Sequence, residues 1–343
     1  MTGVVISAWS ALSPFGHGRT AFADGVRRGV PVDPVSTKDD WAAADAYVVP
    51  DFDIVAQLGR KGTGSMDRTS ALAVATVREL GAPNPTTGVV LGTTSGSART
   101  QFEFTRDSLT RRRPYFVNPA QMPFALMNSA AAQAAMWHGL TGPNSTIAAG
   151  RNSGPAVLRY ATRLLRTGRA SGVFAGAVEE HSGARELLER GQTLGEGCVL
   201  LFLQTAEVGN RAALAEVVAS DTRFSDGAPG RALTESLRQV GVAADEVWGL
   251  ALSTATPELS EVEEEAAGEV LGQRIGTVVR PGRLMGDTGA ASGVFALAAL
   301  LAHAEVDERA RGRLAVATSV DRDGTAGCVV LRLTGSQKAW GER

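Results

Sequence analysis

Chemistry in this chain is most to be expected around the stretch TIAAGRNSGPAVL, residues 146–158. A short apolar run ends at Gly150 and helical spacing starts near Ser153, so a strand-to-helix elbow is expected between them, presenting one side chain at the mouth of a pocket. That side chain is Arg151. A guanidinium stays protonated, offers a fork of N–H donors and cannot take up an acyl group. At the start of a helix its charge is unfavourable by roughly 0.3–1 kcal/mol even when exposed, so a carboxylate partner is expected. The nearest hydroxyl, Ser153, would need an adjacent base to act as a nucleophile.

Other reactive groups are sparse. Cys198 (EGCVLLFL) and Cys328 (AGCVVLRL) lie in apolar runs, where a thiol behaves as a small buried hydrophobe. His17, His138, His181 and His303 are scattered without ligand spacing, so neither a metal nor a cofactor is expected. A net charge of -2, with no long like-sign blocks, predicts no nucleic-acid partner. The chain has no run of about 18 apolar residues. Its opening stretch MTGVVISAWSALSPFG lacks a basic flank and a cleavage pattern, so a cytoplasmic protein without membrane contact is expected.

The elements that must position the elbow repeat within the chain. GEGCVLLFLQTAE (195–207) and GTAGCVVLRLTGS (324–336) share Gly-Cys-Val-x-Leu-x-Leu. Upstream of each lie a Gly/Ser turn and an Ala-rich helix, in NSGPAVLRYATRLLRTGRASGVFAG and in AASGVFALAALLAHAEVDERARGRLAVATS. Earlier still, GVVLGTTSGS (88–97) echoes GLALSTATPE (249–258). Continuous apolar strands alternating with helices imply sheets covered on both faces. The expected fold is α/β, five-layered α-β-α-β-α, in two halves, 1–208 and 209–343, with the linker around Thr205–Ala215.

In order along nearly the whole chain, VVISAWSALSPFGHG, RKGTGSMDRTSALAVA, GLTGPNSTIAAG, ASGVFAGAVEE, LGEGCVLLFL, STATPELSEVEEEAA and DGTAGCVVLRL resemble the thiolase-fold β-ketoacyl synthases. The resemblance implies a cysteine nucleophile at the position of Arg151, and histidines that stabilise the oxyanion and enolate at Leu252 and Asp287. The family's lysine would fall near Gly282, beside Arg283. None of these groups is present, so the resemblance implies a retired active site, with Arg151 paired to Asp287 or to another acid such as Glu179.

Residues 95–144 resemble the chain-length factors of type II polyketide synthases. That resemblance implies a heterodimer with an active ketosynthase, to which an acyl carrier protein brings the growing chain. It also implies a helix whose bulky side chains close the tunnel, with Phe102, Phe104, Thr105 and Leu109 as gate candidates. A floor of this kind works by volume, each methylene counting for about 1–3 kcal/mol. Core packing of an amphipathic helix is the competing reading of those four. The Ala-rich helix 128–139 reads as core or as interface.

The chain departs from the subgroup first at Arg151, where chain-length factors commonly have glutamine, so no role of that glutamine carries over, and then in two segments. The excursion before LGEGC is cut to ARELLERGQT, and SVDRDGTAG, with Asp321, Arg322 and Asp323, replaces a Phe-containing glycine loop. They match a subunit with no entrance to keep, or a divergent branch. An acyltransferase with a non-cysteine nucleophile and a homodimeric pseudo-ketosynthase scaffold remain the alternative functions.

Overall fold

The computed structural model describes residues 3–81, 84–189, 192–207, 213–254, 256–272 and 275–334. The expected boundary between residues 208 and 209 lies outside them.

The long strands read as uninterrupted apolar runs because both of their faces are covered; Gly172–Glu179 is buried from end to end. They join into one sheet, edge to edge Thr277–Val279, Val247–Ala251, Leu314–Val320, Thr325–Leu333, Ala215–Phe224, Val4–Ser13, Gly197–Thr205, Gly172–Glu179, Gly88–Gly92 and Asn144–Ile147. Among the described residues, only the short pairing of Val5 and Ile6 with Glu216 and Ala215 connects the two halves of this path. Numbered within its own half, each set of five strands follows the order 3-2-4-5-1, so the echo in the sequence is an echo in topology.

Three apolar clusters divide the layers. One lies between the half-sheets, around the helices Ser153–Arg166 and Ser292–Ala304. A second backs the N-terminal half-sheet with Arg68–Leu80 and Ser129–His138. The third backs the C-terminal one with Pro229–Val240 and Pro257–Leu271. The result is the expected α-β-α-β-α stack. Ser292–Ala304 is apolar on every side, as a helix sandwiched between sheets must be.

The two central helices meet at their first turns. Gly154 and Gly293 pack so closely that a Cβ on Gly154 would lie 3.1 Å from the Gly293 backbone. Each helix is entered by a 3-10 turn that opens on a left-handed glycine, Gly150 (φ 52) and Gly289 (φ 53). Arg151 and Ala290 are therefore equivalent positions, facing each other where the halves join.

Candidate functional site

Arg151 is only 6% exposed and cross-links the two halves of the chain. Its guanidinium pairs with Asp287 and reaches Asp321 at 3.1 Å, Glu189 at 3.6 Å and the Gln192 side-chain oxygen at 2.8 Å. The backbone joins in. Arg151 N–H donates to the Asp321 carboxylate at 2.8 Å, and its carbonyl accepts from the Ser319 hydroxyl at 2.7 Å. One residue on, the Asn152 amide donates to Thr325 at 2.8 Å. Gly150 must be glycine twice over: its φ is left-handed, and a Cβ there would run into the Asp321 carboxylate.

Burial opposes the charge on each of these groups, and their mutual attraction outweighs it. Desolvation opposes the Arg151 charge, yet Asp287, then Asp321 and Glu189, hold its pKa above the ordinary arginine value. Desolvation likewise opposes the Asp287 carboxylate, but Arg151, with Arg185 behind it, keeps that group below the usual aspartate range. The site is thus a permanent internal salt. Cavities of about 560 and 670 Å³ flank it, the first bordered by Asp287 and the second by Arg151, with Arg322 on the rim of both.

The remaining expected positions offer no catalytic group. Leu252 is buried in the apolar cluster behind the C-terminal half-sheet. Arg283, beside Gly282, turns to Glu264 at 2.9 Å and Ser260 at 3.1 Å. Glu179 does not reach Arg151. Its carboxylate accepts from the Thr94 and Ala290 amides, and burial lifts its pKa, with Arg185 offsetting part of the rise. Ser153 is fully buried, donates to the Gly150 carbonyl at 2.8 Å and accepts from Ala149 N–H at 3.2 Å, so its hydroxyl is committed to the turn. Burial pushes Cys198 up to about 12 and Cys328 up to about 11, far from a usable thiolate. Among the described residues no cluster of three or more His, Cys, Asp or Glu could hold a metal ion. Among them, too, no helix is long and apolar enough to cross a membrane.

Motif order placed Arg151 and Asp287, whereas Asp321, Glu189 and Gln192 carry no local signal for their role. The DRDG stretch reads as a polar loop, and only the fold brings Asp321 under the elbow.

The second region of interest begins at the helix Ala98–Thr110, which buries only Ala98 and Thr100. Phe102 and Phe104 are both half-buried. Phe102 meets the Trp41 ring edge-on at 5.2 Å, while Thr105 is exposed and Leu109 is 79% exposed. Phe104 is half-buried and, two positions from Phe102, points about 200° away around the helix. The four candidates do not share one face. Farther along, Tyr115, Phe116, Met122, Leu126, Met127 and Met136 are all exposed. The segments carrying them pack together, since the turn Pro119–Ala125 touches both Ala98–Thr110 and Ser129–His138.

Residues 1–194 match the family described as beta-ketoacyl synthase, N-terminal domain. The structure is similar to one titled the ishigamide ketosynthase/chain length factor, at 40% identity and a TM-score of 0.90, over 97% of this chain and 100% of that one. Two more distant structures share the fold. One is the oxazolomycin ketosynthase domain of Streptomyces albus JA3453 (17% identity, TM-score 0.78, 98% of this chain and 76% of that one). The other is a type II polyketide synthase acyl-carrier protein in complex with its ketosynthase bound to the hexaketide (16% identity, TM-score 0.78, 97% and 100%).

Proposed function

This chain belongs to the β-ketoacyl synthase family, and we propose that within it the chain acts as a non-catalytic chain-length factor. It pairs with an active ketosynthase, contributes to the tunnel in which a polyketide grows, and leaves bond formation to that partner. An acyl carrier protein delivers the chain, docking mainly on the ketosynthase. The halves 1–208 and 209–343 are part of this reading, as two copies of one α/β unit that share the central helix layer.

The observation that carries the proposal is Arg151. It stands where the family's nucleophile would be, buried and locked to Asp287. A cation that cannot form a thioester, tied to the residue at a lost histidine position, leaves no group to accept an acyl chain. The surface from Leu109 to Met136 supplies what a subunit of this kind needs instead, an apolar face for a partner. Beside it the sheet ends on the strand Asn144–Ile147, whose outer edge is unpaired among the described residues.

Phe102, Phe104, Thr105 and Leu109 are the proposed gate. Phe102 is committed to Trp41, so Phe104 is the bulky member of the set that supports the gate role best. Co-expression with a cysteine-bearing ketosynthase and a carrier protein tests the reading. A stable heterodimer is expected, and Phe104→Ala should lengthen its product by one or more extension units. Unchanged length with lowered stability would make Phe104 a packing residue. Turnover of acyl thioester by the isolated chain would favour the acyltransferase, and a self-sufficient homodimer the scaffold.

A further inference from the structure

Glu180 lies just past the strand Gly172–Glu179, 2% exposed, where two helix N-termini converge. Its carboxylate accepts from the Thr69 hydroxyl (3.1 Å) in the first turn of Arg68–Leu80. On the other side it accepts from the Ser97 hydroxyl (3.1 Å) and from the backbone N–H of Arg99 (3.2 Å) at the start of Ala98–Thr110. Ser97 is itself the N-cap of that helix and bonds the Thr100 amide. Glu180 thus meets groups 81 to 111 positions upstream: the Arg99 N–H, which a helix leaves without an internal partner, is satisfied by a carboxylate remote in sequence.

The attachment matters because the rest of this helix lies at the surface. Past Thr100 it buries no further residue. Its remaining ties are Phe102 on Trp41, the ion pair of Arg106 with Asp40 at 3.1 Å, the Gln101 amide on the Ser95 carbonyl, and packing against the turn Pro119–Ala125 and the short helix Gly183–Leu188. We infer that Glu180 is a positioning residue, a buried clip that fixes the start of Ala98–Thr110 to Arg68–Leu80 and so sets where the side chains of the proposed gate stand. The inference rests on the chain-length reading only for its effect on product; the clip itself does not.

The clip is sensitive to its proton. Burial raises Glu180 to about 7, and the like charge of Asp67, itself lifted by burial, adds to the rise. Arg68 and Arg99 face it with opposite charge, Glu103 and His181 border the same polar cavity, and Arg185 holds its backbone carbonyl at 3.0 Å. Lifting the helix would return Glu180 to water and to an ordinary carboxylate pKa. The closed state therefore binds the proton more tightly than the open one, and closure weakens as pH rises through the carboxylate range toward 7. Between pH 6 and 8 the opening constant should rise about tenfold.

Hydrogen exchange of the amides in 98–104, corrected for the intrinsic rate at each pH, tests this on the full chain purified with its ketosynthase. Wild type should show that rise. Glu180→Gln, which keeps an acceptor but cannot ionise, should show none. Glu180→Ala should exchange at least tenfold faster at pH 6, and its products should spread in length. Wild-type exchange in Glu180→Ala, or a wild-type pH profile in Glu180→Gln, would overturn the inference; if Glu180→Ala does not fold, the Gln profile decides. Faster exchange without any change of product would leave the clip standing and remove the gate role of this helix.

Discussion

Replacing Arg151 with alanine is expected to destabilise the fold by about 3–5 kcal/mol, the usual result of removing one partner from a buried ion pair. Asp287 is 2% exposed and would be left as a desolvated charge, with Asp321 losing a partner as well. The loss should depend on pH with a definite sign. In wild type the Asp287 pKa is depressed, so its contribution is present above the ordinary aspartate pKa and disappears as pH falls through the folded value. In the variant the unpaired carboxyl protonates more easily, and the stability gap should close as pH falls from 7 toward 4. Removing both charges, as Arg151→Met with Asp287→Leu, should recover much of the stability, because apolar replacements of a buried pair are commonly neutral or better. Urea unfolding of the variants at several pH values measures all of this. An unchanged midpoint for Arg151→Ala at pH 7 would show that the pair is not the closed internal salt described above.

The other large effect concerns assembly. Phe116→Asp combined with Met127→Asp should abolish co-purification with the ketosynthase while leaving the chain folded, since both side chains are exposed in the single chain. Two carboxylates buried without partners at an interface cost several kcal/mol. At 1.4 kcal/mol per tenfold change, affinity should fall by about 10³ or more. Undiminished co-purification would place the partner on another face.

The elbow and its arginine are legible because a short apolar strand ends in small residues before a helix, whereas Asp287, which follows the short helix Gly282–Met285, is reached only through the family resemblance. The echo of GCVLLFL in GCVVLRL likewise anticipated the repeated strand order. What could not be read locally is whatever depends on distant segments meeting. Asp321 looks like loop polarity until the turn at 321–324 folds beneath Gly150. Glu179 was as plausible a partner for Arg151 as Asp287, and it is the amides of Thr94 and Ala290 that claim it. Phe102 and Phe104 are both gate candidates in the sequence, on different faces of one helix; the hairpin carrying Trp41 engages Phe102. The Ala-rich segment 128–139 proves to be both core and surface, burying Ser129, Ala130, Ala131 and Ala134 while Met136 is 65% exposed.

The claim that Arg151 has ended covalent chemistry in this chain is tested most directly by intact mass. The complex with its ketosynthase would be charged with an acyl thioester of the carrier protein, denatured, and each subunit weighed. The account predicts the acyl increment on the ketosynthase alone, with this chain at its unmodified mass throughout turnover. An acyl adduct that accumulates on this chain and then decays as product forms would contradict it.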